Sequence, residues 1–336
     1  MDPSSGKYLL SGASGMLGVA IRRGLSARQL EAVQLVRPAR AARANQKAAG
    51  AQLASGHASR GSATLRSVAV SISGEVLWDP WAAPAVTHPE LLEGVAAAIH
   101  LSGANVSARK WTPEYKREIE SSRVDSTRAL AETLAGLRRP PKTLLVASAT
   151  GIYGNRGDEL LDENSAPGSG FLAEVCKKWE AAAKPAVDAG IRVVNLRFGV
   201  VLGPGQGALG RMLPIFRLGL GGRLGPGTQW MSWISLDDVV SAVFFLLDTP
   251  SIAGPVNLAA PNPVTNAEFT RALGHALHRP AIMPVPTAAL HMMMGEGTEE
   301  ILLASERSVP ARLSAAGFEF AHPTVDKALG AMLARG

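Results

Sequence analysis

The stretch "KYLLSGASGMLG", residues 7–18, decides the fold because it joins a short apolar strand to a helix through a glycine-rich turn. Its apolar start predicts a buried strand, and the helix is expected over roughly residues 16–27. Gly12, Gly15 and Gly18 stand in the spacing G-x-x-G-x-x-G. In such a turn the first glycine permits the sharp bend, the second lets a pyrophosphate approach the backbone, and the third lets the helix pack on the strand.

This turn is a candidate anion-binding site. The N-terminus of a helix offers unpaired N–H groups and the positive end of a dipole to a phosphate. A glycine triplet that follows the first strand and opens the first helix is a specific signal for dinucleotide binding. The alternative is a structural turn that binds no ligand.

The end of the second expected strand, "AVQLVR", indicates which dinucleotide is bound. An acidic residue about 20 positions after the turn would bind the ribose 2′-hydroxyl of NAD(H). Arg37 stands there instead, and Arg40 and Arg43 follow it. Because a guanidinium suits a 2′-phosphate, we expect NADP(H) as the cofactor in preference to NAD(H). The alternative for Arg37 is an ordinary surface arginine.

Strands and helices alternate along the first two thirds of the chain. Further strands are expected over residues 97–103, 142–150 and 192–203, and Thr112 is the expected N-cap of a helix that runs to about 138. The alternation predicts an α/β fold, a doubly wound parallel sheet (Rossmann) with right-handed crossovers.

The texture of the sequence changes after residue 203, where Gly- and Pro-rich loops separate shorter elements. We expect two domains. The first is an NADP-binding Rossmann domain over residues 7–203. The second is a smaller C-terminal substrate lobe over residues 204–336, in which Thr265 and Glu268 form a helix capping box.

The net charge of +6 is concentrated in one segment. Residues 22–66 contain nine Lys and Arg, one acidic residue and no aromatic residue. Because basic nucleic-acid surfaces usually carry stacking aromatics, we do not expect nucleic-acid binding. Residues 38–66, rich in Ala, Arg and Ser without apolar periodicity, are interpreted as a mobile basic surface insertion.

The composition also bears on the compartment. The chain has one cysteine, no start typical of a signal peptide, and no apolar run of the roughly 18 residues that a membrane helix needs. We expect a cytoplasmic protein without a membrane anchor. The seven histidines show no metal-binding spacing, so no metal is expected.

With this turn, the stretches "HLSGANV" (100–106), "SATGIYG" (148–154) and "LRFGVVLG" (196–203) occur in order. The chain thereby resembles the extended short-chain dehydrogenase/reductase superfamily. More closely, it resembles the atypical branch labelled "NAD-dependent epimerase/dehydratase" or "epimerase family protein". "SERSVPARLSAAGFEF" (305–320) looks characteristic of that branch. The resemblance runs from Lys7 nearly to the end, excludes residues 38–66, and from about Met283 includes the branch's own C-terminal domain.

The resemblance implies a set of cofactor-binding residues at the strand ends. They are Gly12, Ser14, Gly15, Met16, Leu17, Gly18, Arg37, Leu101, Ser102, Gly103, Ser148, Phe198, Gly199 and Val200.

The superfamily's Ser–Tyr–Lys site is only partly present. The resemblance places Ser148 at the serine position, where it would hold a substrate oxygen; the alternative is a strand-end serine satisfied by backbone. Glu180 matches a glutamate eight residues after the family's tyrosine. That match puts Leu172 at the tyrosine position and Cys176 at the lysine position. Arg123 stands where the superfamily has an asparagine.

Cys176 shares an apolar helix face, which favours a small buried hydrophobe over a catalytic thiolate. A thiolate would need a cationic neighbour, and Arg123 is the candidate. Tyr153 is a candidate replacement acid, or alternatively a structural or pocket-lining residue. Trp230 and Trp233 precede a helix capped by Ser235, beside the substrate in related enzymes or packed in the core.

Two functions remain open. The first is an NADP(H)-binding oxidoreductase or nucleotide-sugar-epimerase-like enzyme that transfers a hydride at nicotinamide C4 on an unknown small-molecule carbonyl or hydroxyl substrate. Its Tyr–Lys site is degenerate, so whether catalysis is retained is open. The second is a non-catalytic NADP(H)-dependent sensor or regulatory protein, similar to those labelled cell-division inhibitors. The chain is compatible with a homodimer.

Overall fold

The structure, a computed structural model, describes residues 6–38 and 74–334. Within these residues a seven-stranded sheet forms the centre of the protein. In chain order the described strands are β1 Lys7–Ser11, β2 Glu31–Val36, β3 Glu75–Leu77, β4 Ala97–His100, β5 Thr143–Ala149, β6 Leu160–Leu161, β7 Arg192–Phe198, β8 Val200–Gly203, β9 Trp230–Met231, β10 Trp233–Ser235, β11 Gly254–Leu258, β12 Val264–Thr265 and β13 Arg307–Ser308.

The helices of the same residues alternate with these strands. They are α1 Met16–Ala27, α2 Pro113–Ala135, α3 Phe171–Ala181, α4 Lys184–Asp188, α5 Gly207–Arg217, α6 Leu236–Asp248, α7 Asn266–Leu277, α8 Thr287–Met294, α9 Ala311–Ala315 and α10 Val325–Leu333. Short 3₁₀ turns lie at Pro89–Leu92 and Thr150–Tyr153, and a π turn lies at Glu299–Leu303.

The order of the main sheet is β11-β7-β5-β4-β1-β2-β3, and all its strands are parallel. The chain runs outward from β1 to β3 and then returns to the other side of β1 with β4. This reversal is typical of dinucleotide-binding sheets, in which ligands lie at the carboxyl ends of the strands beside it. The predicted doubly wound α/β fold is therefore confirmed.

Helices cover both faces of the sheet. Because successive residues of a strand point to opposite faces, Leu9 packs in one core with Leu130 of α2, whereas Leu10 packs in the other with Ile21 of α1 and Val243 of α6. These five side chains are almost fully buried. Burial of each contributes about 2 kcal/mol to folding, and together such residues hold the strand ends in place.

The helix starts follow local sequence signals. Thr112 accepts a hydrogen bond from the N–H of Tyr115 at the start of α2, which ends at Ala135, slightly before the expected residue 138. Thr265 and Glu268 form the expected capping box at the start of α7. Each cap satisfies backbone N–H groups that the helix itself leaves unpaired.

A third core lies in the C-terminal part and joins α5, α7 and α10 through Leu209, Phe269 and Leu329. The chain enters this lobe at Gly199, where the expected strand over 192–203 divides into β7, in the main sheet, and β8, paired with β10. A methyl group at position 199 would lie 2.8 Å from the carbonyl oxygen of Ser232, so glycine is required there.

The expected domain boundary at residue 203 does not separate the two units in the folded chain. Helix α6 and strand β11 both follow it, yet β11 is the edge strand of the main sheet and α6 packs against that sheet. The chain therefore passes from α5 of the lobe back to the main sheet with α6 and β11, and then returns to the lobe with α7.

Some expectations concern residues that the structure does not describe. Arg40, Arg43 and residues 39–66 of the expected basic insertion lie outside the described part of the chain. Within residues 6–38 and 74–334, no helix has both the length and the apolar character required to cross a membrane.

Candidate functional site

The glycine turn after β1 is too tightly packed for side chains at two of its three glycines. Gly12 has a φ of +69°, and a methyl group there would lie 2.8 Å from the carbonyl carbon of Leu101. At Gly18 a methyl group would lie 2.2 Å from the carbonyl oxygen of Gly12. At Gly15 the nearest atom would be 3.5 Å away, so this glycine borders a more open space. The turn therefore presents backbone to that space.

The start of α1 fits an anion such as a pyrophosphate. Within α1, Val19 is the first residue whose N–H bonds back to the turn, to the carbonyl of Gly15 at 2.9 Å. The N–H groups of Met16, Leu17 and Gly18 therefore have no acceptor within their helix. The helix has no side-chain cap and no acidic residue in its first turn, so neither a cap nor a negative charge competes with a phosphate.

A buried histidine at the end of β4 forms a hydrogen bond to the end of β1, next to this turn. His100 Nδ1 lies 2.6 Å from Ser11 Oγ, and His100 Nε2 lies 3.1 Å from Ser126 Oγ. The Ser126 hydroxyl donates to the carbonyl of Ser122 at 2.7 Å, so it accepts from Nε2–H and Ser11 donates to Nδ1. Burial lowers the pKa of His100 to about 3, which keeps the ring neutral.

The predicted cofactor-binding residues stand at one edge of the sheet. Leu101, Ser102 and Gly103 directly follow β4, and Phe198, Gly199 and Val200 join β7 to β8. Arg37 directly follows β2 and is exposed, as is Ser14 in the glycine turn. Because parallel strands end at the same edge, these residues lie at the edge of the sheet that also carries Gly12.

Ser148 lies at the end of β5 and is buried. Its hydroxyl donates to Glu180 Oε1 at 2.8 Å. Glu180 in turn binds Arg197 through two hydrogen bonds of 2.8 and 3.0 Å. Ser148 is thus satisfied by a carboxylate of α3 rather than by the backbone, and its oxygen remains able to accept a hydrogen bond but not to donate a second one.

Tyr153 is fully buried behind the same ion pair. Its hydroxyl donates to Asn257 Oδ1 at 2.8 Å and accepts from Arg197 at 3.0 Å. Burial raises the pKa of Tyr153. The hydroxyl predicted as a replacement acid therefore already has protein partners for donation and acceptance.

Cys176 and Arg123 lie close to each other on α3 and α2. Burial raises the pKa of the Cys176 thiol to about 12, although Arg123 acts in the opposite direction. At neutral pH the thiol therefore stays protonated.

Arg123 is a half-buried cation. Its guanidinium donates to the carbonyl of Ile119 at 3.1 Å and lies 5.1 Å from the centre of the Trp179 ring. A methyl group at Gly103 would lie 3.3 Å from its Cζ atom. Among the residues that the structure describes, no carboxylate forms an ion pair with Arg123. Arg123 can therefore bind an anionic or polarised oxygen beside Gly103.

Sequence reasoning missed two glutamates that reach the site from the C-terminal part. Glu300 accepts hydrogen bonds from the N–H groups of Phe171 and Leu172, at 2.9 and 2.7 Å, and so caps the start of α3. Glu306 accepts a hydrogen bond of 2.7 Å from Thr150, 156 positions earlier in the chain. Burial raises the pKa of Glu306 to about 7.

Two signals could have identified this contact. Thr150 and Glu306 both belong to stretches that carry the resemblance, "SATGIYG" and "SERSVPARLSAAGFEF". Their large separation in the sequence gave no reason to pair them.

The two tryptophans of the expected substrate loop differ in burial. Trp233 is fully buried, whereas Trp230 is partly buried and its ring N–H donates to Asp158 Oδ1 at 2.7 Å.

Comparisons with known families match two parts of the chain. Residues 8–259 match the model described as "NAD dependent epimerase/dehydratase family". Residues 285–332 match the model described as "Domain of unknown function (DUF1731)". The second match contains both Glu300 and Glu306.

Three similar proteins illustrate the range of relatives. Epimerase family protein Mb2239 of Mycobacterium bovis is 45% identical over 258 residues, which are 77% of this chain and 84% of the relative. The crystal structure of human epimerase family protein SDR39U1 (isoform 2) with NADPH has a TM-score of 0.81 at 29% identity, covering 98% of this chain and 99% of that one. The nucleoside-diphosphate sugar epimerase of Corynebacterium glutamicum has a TM-score of 0.74 at 32% identity, covering 99% of this chain and 59% of that one.

Proposed function

The chain belongs to the NAD-dependent epimerase/dehydratase family, and from this premise we propose that it binds NADPH and reduces a carbonyl group of a small molecule. One observation carries the proposal. The turn from Gly12 to Gly18 packs closely, a methyl group at Gly15 would meet no side chain within 4 Å, and the first turn of α1 has unpaired N–H groups and no acidic residue. A pyrophosphate is the group that this arrangement suits.

The preference for NADPH over NADH rests on Arg37. This exposed arginine directly follows β2, where NAD-binding sheets carry an acidic residue. A guanidinium attracts a 2′-phosphate and gives no acceptor to a 2′-hydroxyl. The NADPH in the similar human protein supports the same choice.

When bound, the reduced dinucleotide supplies a hydride to the carbonyl carbon of the substrate. Arg123 would bind the carbonyl oxygen and stabilise the negative charge that develops on it, because this guanidinium has no competing carboxylate in the described residues. Ser148, whose proton is donated to Glu180, would accept a hydrogen bond from the resulting hydroxyl. Both side chains lie beside the strand ends that would hold the cofactor.

Two measurements test this function in order. Calorimetry should show that NADPH binds the full chain and that NADH binds at least tenfold more weakly. A panel of carbonyl compounds and sugar nucleotides should then contain a class that causes loss of NADPH absorbance. The matched variant is Arg123→Met, which keeps an unbranched side chain of about the length of the aliphatic part of arginine and removes the charge. We expect it to retain NADPH affinity and lose at least tenfold in turnover. Absence of NADPH binding would contradict the proposal at its first step.

A second function is favoured by a different observation. The hydroxyls of Ser148 and Tyr153 are engaged inside the protein, and the Cys176 thiol is buried and protonated. A non-catalytic sensor of the NADP(H) redox state would need only the cofactor site. It would bind both cofactor forms, show no turnover in the panel, and bind a partner whose affinity depends on the cofactor's redox state.

A further inference from the structure

The carboxyl group of Glu306 lies at the carboxyl ends of two neighbouring strands of the main sheet. Thr150 directly follows β5, and its hydroxyl group donates a hydrogen bond of 2.7 Å to Glu306 Oε2. The same Thr150 oxygen lies 3.4 Å from the carbonyl oxygen of Phe198, the last residue of β7. Because substrates of doubly wound folds lie at this edge, the carboxyl group is placed where chemistry would occur.

Glu306 also lies close to the residue that replaces the superfamily's tyrosine. A methyl group at Gly151 would lie 3.8 Å from Leu172 Cβ and 3.9 Å from Glu306 Oε1. Leu172 has no proton to exchange. The Cys176 thiol, one helical turn further along α3, is neutral at physiological pH. Glu306 therefore places an ionisable carboxyl group near the Leu172 position, whereas the carboxylate of Glu300, which also lies there, is engaged by the N–H groups of Phe171 and Leu172.

The charged groups around Glu306 leave its carboxyl group without a cation. Arg197 is bound to Glu180. Arg307 directs its guanidinium over the Trp230 ring, 4.3 Å from the ring centre, and donates to the carbonyl of Asp158. In the described part of the chain, no Lys, Arg or His side chain forms an ion pair with Glu306. Burial therefore dominates and raises its pKa to about 7, with only the Thr150 hydrogen bond acting in the opposite direction.

The backbone around Glu306 is fixed by the second lobe. Its N–H donates to the carbonyl of Trp230 at 3.0 Å, and its carbonyl accepts from the Ser232 hydroxyl at 2.7 Å. Glu300, from the same C-terminal segment, caps α3. One segment thus both holds the helix that carries Leu172 and Cys176 and supplies a carboxyl group beside it.

We propose that Glu306 is the catalytic acid and base of this site and takes the role that the Tyr–Lys pair has in the superfamily. The inference rests on the proposed function. In reduction, the carbonyl carbon accepts the hydride, with its two electrons, from the reduced nicotinamide. The carbonyl oxygen accepts the proton of the Glu306 carboxyl group. The C=O group thereby becomes CH–OH, the nicotinamide is oxidised, and the Glu306 carboxylate regains a proton from water.

The first test needs no substrate. The oxidised nicotinamide ring carries a positive charge that the reduced ring lacks, so an ionised Glu306 beside it should favour NADP⁺. Calorimetry on the full chain should show the ratio of NADP⁺ affinity to NADPH affinity rising at least threefold between pH 6 and 8, since titration of the 2′-phosphate affects both cofactors alike. Glu306→Gln should remove this difference. Thr150→Val, which removes the hydrogen bond that stabilises the carboxylate, should move the rise to higher pH.

The matched control is Glu299→Gln in the same segment, because Glu299 is exposed and pairs only with His291 at 3.0 Å among the described residues. It should keep the wild-type pH dependence. Difference infrared spectroscopy gives a second readout. The wild type and Glu299→Gln should show a protonated carboxyl band that disappears as the pH rises through about 7, and Glu306→Gln should lack it.

With any compound that the wild type reduces, Glu306→Gln should lower kcat about a hundredfold with little change in KM. The two possible failures are distinguishable. If the wild type binds neither NADPH nor NADP⁺, the proposed function fails and this inference fails with it. If the wild type binds both but the ratio of NADP⁺ affinity to NADPH affinity depends on pH identically in Glu306→Gln, only the role of Glu306 is overturned.

Discussion

Glu180 and Arg197 form a buried ion pair beneath Ser148, joined by two hydrogen bonds of 2.8 and 3.0 Å. Their side chains are only 14% and 7% exposed. The pair links α3 to β7, and Arg197 also donates to Tyr153. It therefore holds the helix and the strand that border the candidate site.

Glu180→Gln should destabilise the fold strongly, because it leaves the Arg197 guanidinium buried without a counter-charge. We expect a loss of about 3 kcal/mol in the free energy of unfolding. Urea denaturation measures it. Glu174→Gln on the same helix is the control, since Glu174 forms an exposed pair with Lys177 and should cost less than about 0.5 kcal/mol. Equal losses in the two variants would show that the buried pair does not stabilise this region.

His100→Gln should change how stability depends on pH. The pKa of His100 is lowered from 6.5 to about 3 in the folded protein. Between these values the unfolded chain binds a proton that the folded protein does not, so the contribution of His100 is complete above pH 6.5 and is lost as the pH falls. The difference in stability between wild type and variant should shrink by about 2 kcal/mol from pH 7 to 5. Urea denaturation at both values checks this, and a difference independent of pH would contradict a neutral buried histidine.

Arg37→Asp should reverse the cofactor preference. The aspartate would repel a 2′-phosphate and could accept a hydrogen bond from a 2′-hydroxyl. We expect NADPH to bind at least tenfold more tightly than NADH in the wild type, and the reverse order in the variant, by calorimetry. Arg23→Asp makes the same charge change on the exposed face of α1 and should keep the wild-type order. Equal affinities of the wild type for the two cofactors would rule out the role of Arg37.

The fold could largely be predicted because its signals are local. Residues 12–18 alone are enough to predict the glycine turn, and the caps at Thr112 and Thr265 lie next to the helices that they start. The division at Gly199 could not be predicted. It depends on the contact with Ser232, which nothing near residue 199 in the sequence indicates.

The candidate site was predictable only in part for the same reason. The positions of Ser148, Arg123 and Cys176 followed from the resemblance, and Arg123 was expected as the cationic neighbour of Cys176. The hydrogen-bond partners of Ser148 and Thr150 were not predicted. Ser148 donates to a residue 32 positions away and Thr150 to one 156 positions away. Whether a side chain is available for a ligand depends on such distant contacts, and periodicity carries no information about them.

Cys176→Ala should leave NADPH affinity and any turnover nearly unchanged. The thiol is buried and burial raises its pKa to about 12, so it should act as a small packing group. We expect a loss of about 1 kcal/mol in the free energy of unfolding. The wild-type thiol should react with a disulfide reagent only after denaturation. A large loss of turnover in a variant that folds normally would instead make Cys176 catalytic.

Ser148→Ala addresses whether the protein is an enzyme. Loss of the hydroxyl removes the 2.8 Å hydrogen bond to Glu180, so stability should fall by about 1 kcal/mol whether or not the protein has catalytic activity. NADPH affinity should change little. If Ser148 also holds a substrate oxygen, turnover on an active carbonyl compound should fall about tenfold or more. The measurement follows NADPH absorbance for wild type and variant side by side.

Thr127→Val is the matched control, since Thr127 accepts a buried hydrogen bond of 2.9 Å from Trp179 and lies on α2 rather than at a strand end. This variant should lower the free energy of unfolding by about as much as Ser148→Ala does, without a loss of turnover. Identical turnover in wild type and Ser148→Ala would remove Ser148 from the catalytic group and leave Arg123 to bind the substrate oxygen. Binding of NADPH without turnover across the whole panel would favour the sensor. The role of Ser148 would then be structural, since its hydroxyl donates a hydrogen bond to the Glu180 carboxylate that pairs with Arg197.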